Sequence, residues 1–233
     1  MDVKGSIALV TGANRGLGKA IVDELLSRGA TKVYAGARDP QTVVADDPRV
    51  VPVRLDVTDH DSVFAAADLA TDVSLLVNNA GISDGTSVFG PDGVASLRRQ
   101  LETNTLGPLE MTRAFAPILE SNGGGAVVNV LSVLSWVTFP TTSGYSASKA
   151  AAWSITNASR GELSAQGTQV VGVHVGYLDT DMAAHVDGPK TDPADLARQV
   201  ADAVEAGADE VLGDELSRGV KAALSGSVAQ LSA

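Results

Sequence analysis

The chain has 233 residues, with 17 basic against 28 acidic side chains for a net charge of −11, and no cysteine. That length suits one compact domain, residues 1–233, burying about 70–75% of its unfolded surface, with no room for a second. The acidic balance argues against nucleic acid or an anionic membrane as main partner, and without thiols neither a disulfide framework nor a thiolate metal site can form.

Ser6 to Val10 is a short apolar, β-rich run, followed at once by Thr11-Gly12-Ala13-Asn14-Arg15-Gly16-Leu17-Gly18 and a helical pattern from Lys19 to Arg28. Strand, glycine-rich turn and helix in that order form the phosphate-binding start of a dinucleotide fold. The glycines let backbone amides and the helix N-terminus reach the pyrophosphate. Lys32 to Arg38 reads as the second strand. An acidic residue usually ends this strand and takes the ribose 2′-hydroxyl, whereas an arginine nearby accommodates a 2′-phosphate. Here the end is Ala37-Arg38, and Arg15 can close on the same group from the glycine turn. NADP(H) is therefore favoured over NAD(H). The plain alternative is solvated arginines, with Asp39 pairing to Arg38.

Val50 to Leu55 is the third strand, and a helix capped by Thr58 or Asp59 follows it to about Ala70. Asp56 is left at the carboxyl end of a strand, where open α/β sheets bind ligands. Val73 to Val77 is a fourth strand, ending in Asn78-Asn79-Ala80-Gly81. Two helical patterns fill the stretch from Pro91 to about Glu120, the second beginning near Leu101 with Asn104 in its first turn or two. Ala126 to Leu131 is a fifth strand that delivers Ser132 at its carboxyl end. A helix then starts at Gly144 and runs to about Leu163. It sets Tyr145 and Lys149 four residues apart on one face. A phenol ionises near pH 10, so it works as a general acid/base at neutral pH only if something stabilises its phenolate; a neighbouring ammonium does. Thr168 to Val175 is a sixth strand, near-continuously apolar as a parallel central strand should be. A loop over about 176–191, a helix from Pro193 to Glu205, a short strand Glu210-Val211-Leu212 and a helix from Asp214 to about Leu224 complete the chain. Strands alternating with helices predict an α/β fold, a Rossmann-type doubly wound parallel sheet of six to seven strands with helices on both faces.

Taken together, Thr11-Gly12-x-x-x-Gly16-x-Gly18, Asp56, Asn78-Asn79-Ala80-Gly81, Asn104, Ser132, Tyr145-x-x-x-Lys149 and Gly176-x-x-x-Thr180 resemble the short-chain dehydrogenase/reductase family, single-domain type, over nearly the whole chain. The resemblance implies a catalytic set of Asn104, Ser132, Tyr145 and Lys149. It implies cofactor contacts from Gly12, Asn14, Arg15, Gly16, Leu17 and Gly18, with Asp56 and Val57 at the adenine. Asn78, Asn79, Ala80 and Gly81 line the cofactor and steady the sheet; Gly176, Leu178 and Thr180 meet the nicotinamide; Tyr145 and Lys149 approach its ribose. Two departures stand out. Val175 replaces the proline common before the nicotinamide-loop glycine, which is expected to loosen the loop, and the segment from Thr180 to Asp192 is short for a substrate lid.

The expected reaction is hydride transfer between nicotinamide and a carbonyl or secondary alcohol, with Tyr145 moving the proton, Ser132 polarising the oxygen, Lys149 lowering the tyrosine's pKa and Asn104 holding a water. Leu134, Trp136, Phe139, Tyr177, Met182 and His185 are expected to border a mostly apolar substrate pocket. A small or medium apolar ketone or aldehyde fits that lining better than a sugar phosphate. None of the three histidines clusters as a metal ligand. A non-catalytic dinucleotide sensor and an epimerase or dehydratase are the alternatives. A homodimer or homotetramer is implied through the helices near Leu101 and Tyr145. Met1 to Gly5 lacks the apolar core of a signal peptide. Residues 123–140 fall short of the ~20 needed to span a bilayer. A cytoplasmic location is the resulting expectation.

Overall fold

A computed structural model describes residues 1–226. Seven strands are formed: β1 (Ile7–Thr11), β2 (Lys32–Ala37), β3 (Val50–Arg54), β4 (Leu75–Asn78), β5 (Gly125–Val130), β6 (Thr168–His174) and β7 (Glu210–Leu212). They pair in parallel in the order β3-β2-β1-β4-β5-β6-β7. Seven α-helices lie between and after them: α1 (Gly16–Ser27), α2 (His60–Leu69), α3 (Gly93–Leu101), α4 (Gly107–Ser121), α5 (Ser143–Glu162), α6 (Pro193–Ala206) and α7 (Glu215–Ala223). The strand order reverses between β1 and β4, and a crevice opens there outside the carboxyl ends of the strands. Every strand expected from an apolar run is present, its ends within two residues of the expected ones.

The strands are buried on both faces, which is why they read as unbroken apolar runs. Ala8 and Val10 pack with Leu17, Ile21 and Leu25 of α1 and Leu196 and Val200 of α6. Leu9, between them in sequence, points the other way, onto Val63 of α2 and Met111 and Phe115 of α4. This period of two divides one sheet between two helical layers. Asp59, Asp192 and Asp214 cap α2, α6 and α7 through their carboxylates, so of the two residues expected to cap α2 it is Asp59 that does so.

Two helical boundaries differ from expectation: α1 begins at Gly16, inside the glycine turn, rather than at Lys19, and the start of α4 is displaced. Asn104 is not in the first turns of a second helix; it sits in a five-residue π turn, Glu102–Leu106, that joins α3 to α4. The Gly107 N–H reaches back five residues to the Glu102 carbonyl. Pro108 explains the wide turn, because it has no N–H to offer the Asn104 carbonyl one α-helical turn behind it. Gly107 can only be glycine at this contact, since a Cβ would lie 2.9 Å from Val57 Cγ2.

Candidate active site

The glycine turn builds one wall of the crevice. α1 starts without a side-chain cap and without an acidic residue in its first turn, so its leading N–H groups keep their bonding capacity. Gly18 brings the helix onto the turn so closely that any Cβ would collide with the Gly12 carbonyl oxygen. Asn79 fastens this wall to the next strand: its amide donates to the carbonyls of Thr11 at 2.9 Å and Gly12 at 3.2 Å. In return Thr11 Oγ1 accepts the N–H groups of Asn79 and Ala80, both at 2.9 Å. Open helix amides beside a turn that excludes side chains suit a pyrophosphate, so the residues present fit a dinucleotide.

At the far end of that wall Arg38 follows β2 into solvent. Asp39 does not pair with it; the Asp39 carboxylate accepts the Gln41 N–H instead and starts a short 3₁₀ turn. Asn14 donates to Thr42 Oγ1 of this turn at 3.1 Å. Asp56 accepts from the Thr58 N–H and hydroxyl. Desolvation would raise its carboxyl, but those bonds and the charges of Arg38 and Arg54 hold it below the usual carboxylate range. Arg15 departs from expectation. It crosses the mouth of the crevice to Asp181, 3.1 Å away, and both side chains are largely exposed. Arg15 thus sits in an exposed surface pair of little strength, apart from Arg38.

The four residues expected to act together do converge. Ser132 ends β5, Tyr145 and Lys149 lie on α5, and Asn104 comes from the π turn. Asn104 and Lys149 meet at Gly81, since a Cβ there would stand 3.2 Å from Asn104 Oδ1 and 3.8 Å from Lys149 Nζ. Asn104 is 1% exposed, accepts the Ile82 N–H at 2.8 Å and donates to the Ile82 carbonyl and Ser148 Oγ. Lys149 Nζ donates to the Val130 carbonyl at 2.7 Å and lies 5.8 Å from the centre of the Tyr145 ring. Ser132 Oγ accepts the Leu134 N–H at 3.1 Å and donates to the Val175 carbonyl at 3.5 Å, and the same hydroxyl acts to lower the Tyr145 pKa.

The electrostatics invert one expectation. Burial, not the ammonium, dominates Tyr145: it pushes the phenol up to about 12, and the Ser132 hydrogen bond recovers only part of the shift. Burial also brings Lys149 down to about 8. A phenol that keeps its proton and an amine that titrates near neutrality are the pair a proton donor and its reservoir require.

Asn78 serves the sheet: its amide, 3% exposed, donates to Asn129 Oδ1 at 2.8 Å and Thr112 Oγ1 at 3.2 Å. Of its two implied roles the geometry carries the steadying one. A cavity of about 10 Å³, enough for one water, lies between Asn78, Asn104, Asn129 and Thr156.

On the substrate side Leu134 is half-buried, and Phe139, Tyr177, Met182 and His185 are exposed. Trp136 differs. Its half-buried indole stacks on His174, ring centres 3.8 Å apart, and meets Trp153 edge-on at 6.2 Å. The loop from Gly176 is anchored without the missing proline. Val175 accepts the Val133 N–H at 3.0 Å, Gly176 donates to Asp214 Oδ2 at 2.7 Å, and Leu178 bridges to Thr191. Thr180 packs beside Gly16, whose Cβ would stand 3.3 Å from Thr180 Cγ2. Asn79 carries the steadying role implied for it, whereas His174 and Asp214 were not among the residues singled out as functional. Asp214 carries a signal, an acid just after a strand and before a helix; nothing local marks His174.

Comparison with known proteins agrees with this geometry. A short chain dehydrogenase from Burkholderia cenocepacia J2315, solved in complex with NADP, superposes with a TM-score of 0.94 and 41% identity, covering 99% of this chain and 97% of its own. The cis-4-hydroxycyclohexanecarboxylate dehydrogenase of Sinomonas cyclohexanicum is 35% identical over 84% of this chain and 80% of its own length. The NADP-dependent 3-hydroxy acid dehydrogenase of Schizosaccharomyces pombe is 28% identical over 91% and 92%. The short chain dehydrogenase family profile matches residues 6–190, a span that begins before the glycine turn and ends beyond the nicotinamide loop. Asn104, Ser132, Tyr145 and Lys149 all fall inside the matched segment, and the chain belongs to the short-chain dehydrogenase family.

Proposed function

We propose that this family oxidoreductase interconverts a carbonyl and a secondary alcohol with NADP(H), acting on a small or medium apolar ketone or aldehyde. The observation that carries the reading is the buried Lys149 ammonium 5.8 Å from the centre of the Tyr145 ring, with buried Ser132 at the end of β5. The bound cofactor supplies or accepts the hydride. Around it, the α1 amides and the turn from Gly12 to Gly18 hold pyrophosphate, and Gly176 to Thr180 face the nicotinamide end. Ser132 donates to the substrate oxygen and stabilises charge as it develops there. Tyr145, held protonated, gives its proton to that oxygen in the reducing direction, and Lys149 restores it. The water-sized space beside Asn104 supports a proton route out of the site.

Support for NADP(H) comes from Ala37 and Arg38, where an acid would favour NAD(H), and from the relative solved with NADP. Leu134, Tyr177 and Met182, with the loop 176–191, border the substrate. The negative charge and the apolar rim disfavour polyanionic substrates. Titration with NADPH and NADH, then turnover on a panel of apolar ketones, aldehydes and diketones, tests the reading. NADPH should bind at least about tenfold tighter, a difference of ~1.4 kcal/mol. Tyr145→Phe should keep that affinity and lose roughly a thousandfold in kcat, and retention of more than about a tenth would remove Tyr145 from the chemistry. Binding without any turnover would favour a dinucleotide sensor.

A further inference from the structure

His174 is fully buried at the end of β6, and no step assigned above uses it. Its Nδ1 lies 3.1 Å from the backbone carbonyl oxygen of Ser132. A carbonyl only accepts, so Nδ1 carries the proton. Nε2 is then the bare nitrogen: it has no hydrogen-bond partner among the described residues and stands 3.6 Å from Glu210 Oε1. That carboxylate oxygen is already taken by Lys221 Nζ at 2.8 Å. Trp136 covers one face of the imidazole at 3.8 Å, with Lys221 Nζ 5.0 Å from the Trp136 ring. Burial holds the ring near 4, so it stays neutral at physiological pH.

The peptide joining Ser132 to Val133 is consequently gripped on both edges. Its oxygen receives His174 Nδ1–H and the Ser135 N–H, and its own N–H donates to the Val175 carbonyl at 3.0 Å. Two of those three bonds come from β6 and the residue after it. We propose that His174 is a positioning residue, whose Nδ1–H fixes the Ser132 peptide and through it the aim of the Ser132 hydroxyl at the substrate oxygen. The role acts through another residue; the imidazole touches neither substrate nor cofactor. Displacing a reacting hydroxyl by an ångström or less costs turnover steeply while leaving distant contacts intact.

The proposal rests on the catalytic reading of Ser132, so two readouts are paired. In ¹⁵N-labelled wild-type protein, long-range ¹H–¹⁵N correlation should show His174 protonated at Nδ1 and bare at Nε2 from neutral pH down to about pH 5. This readout needs no activity, so it stands if the protein turns over no substrate on the panel. A proton on Nε2 would overturn the proposal. In steady-state assays His174→Ala should lower kcat by roughly tenfold or more, with the NADPH Kd within about twofold. His174→Asn, whose amide can donate from nearly the Nδ1 position, should recover kcat to within about threefold of wild type. A folded His174→Ala enzyme with wild-type kcat, or a folded His174→Asn enzyme no better than alanine, would overturn it. Should His174→Ala fail to fold, the tautomer and the asparagine variant decide.

Discussion

Lys149 shows at the scale of one residue how function is set against stability. It is 4% exposed, and burial depresses its ammonium from 10.5 to about 8. Between those values the unfolded chain binds a proton that the folded chain does not, so its contribution to stability rises with pH across that window. Below pH 8 both states are protonated and the cost is complete. Lys149→Met should therefore stabilise the protein at pH 7 by up to on the order of 3 kcal/mol, the advantage vanishing by about pH 10.5, while turnover is lost. Urea denaturation of the two proteins at pH 7 and 10 measures the difference, and a gap that does not narrow would mean that the ammonium is not desolvated. Tyr145 pulls the other way: its neutral form is favoured by the fold, so its ionisation costs the folded chain stability only above pH 10.

At the scale of elements, the π turn is where a local irregularity does chemical service. It drops Asn104 against the end of β4, where Oδ1 satisfies the Ile82 N–H and Nδ2 the Ile82 carbonyl and Ser148. Asn104→Ala should cost about 2–3 kcal/mol in urea denaturation, because the half-buried N–H and carbonyl of Ile82 lose their side-chain partner together, and kcat should fall with it. Substitution without loss of stability would mean that water replaces the amide. The strands were legible because a parallel sheet covered on both faces demands unbroken apolar runs, as in Leu75 to Val77 or Val170 to Val173. The Tyr145 and Lys149 pair was legible because i and i+4 share a helix face. Asn104's turn was not, since apolar periodicity continues through it and only Pro108 betrays the missing donor. The contacts of Trp136 and Arg15 escaped for a different reason. Their partners, His174 and Asp181, lie far away in sequence, and composition cannot foresee a stacked ring or a surface pair.

For the whole molecule, the proposed function would sort labour along the width of the sheet, with the cofactor end on β1 to β3 and the chemistry on β5 to β7; Asn79 and Thr11 bolt the halves at the reversal of strand order. α4 and α5 flank the second half, and Leu106, 45% exposed at the head of α4, is left open in a single chain. The proposed homodimer or homotetramer would cover this side. Sedimentation velocity should give a particle of two or four chains, and a monomer at micromolar concentration would refute the assembly. Asp214 joins the far edge to the centre: one carboxylate oxygen starts α7 at the Ser217 N–H and the other holds Gly176. During synthesis the chain emerges amino end first, so the glycine turn, Ser132 and Tyr145 all exist before residue 214 leaves the ribosome. The Gly176 N–H therefore gains its carboxylate partner only when the last strand and helix are made, and the loop it begins is held from the opposite end of the chain.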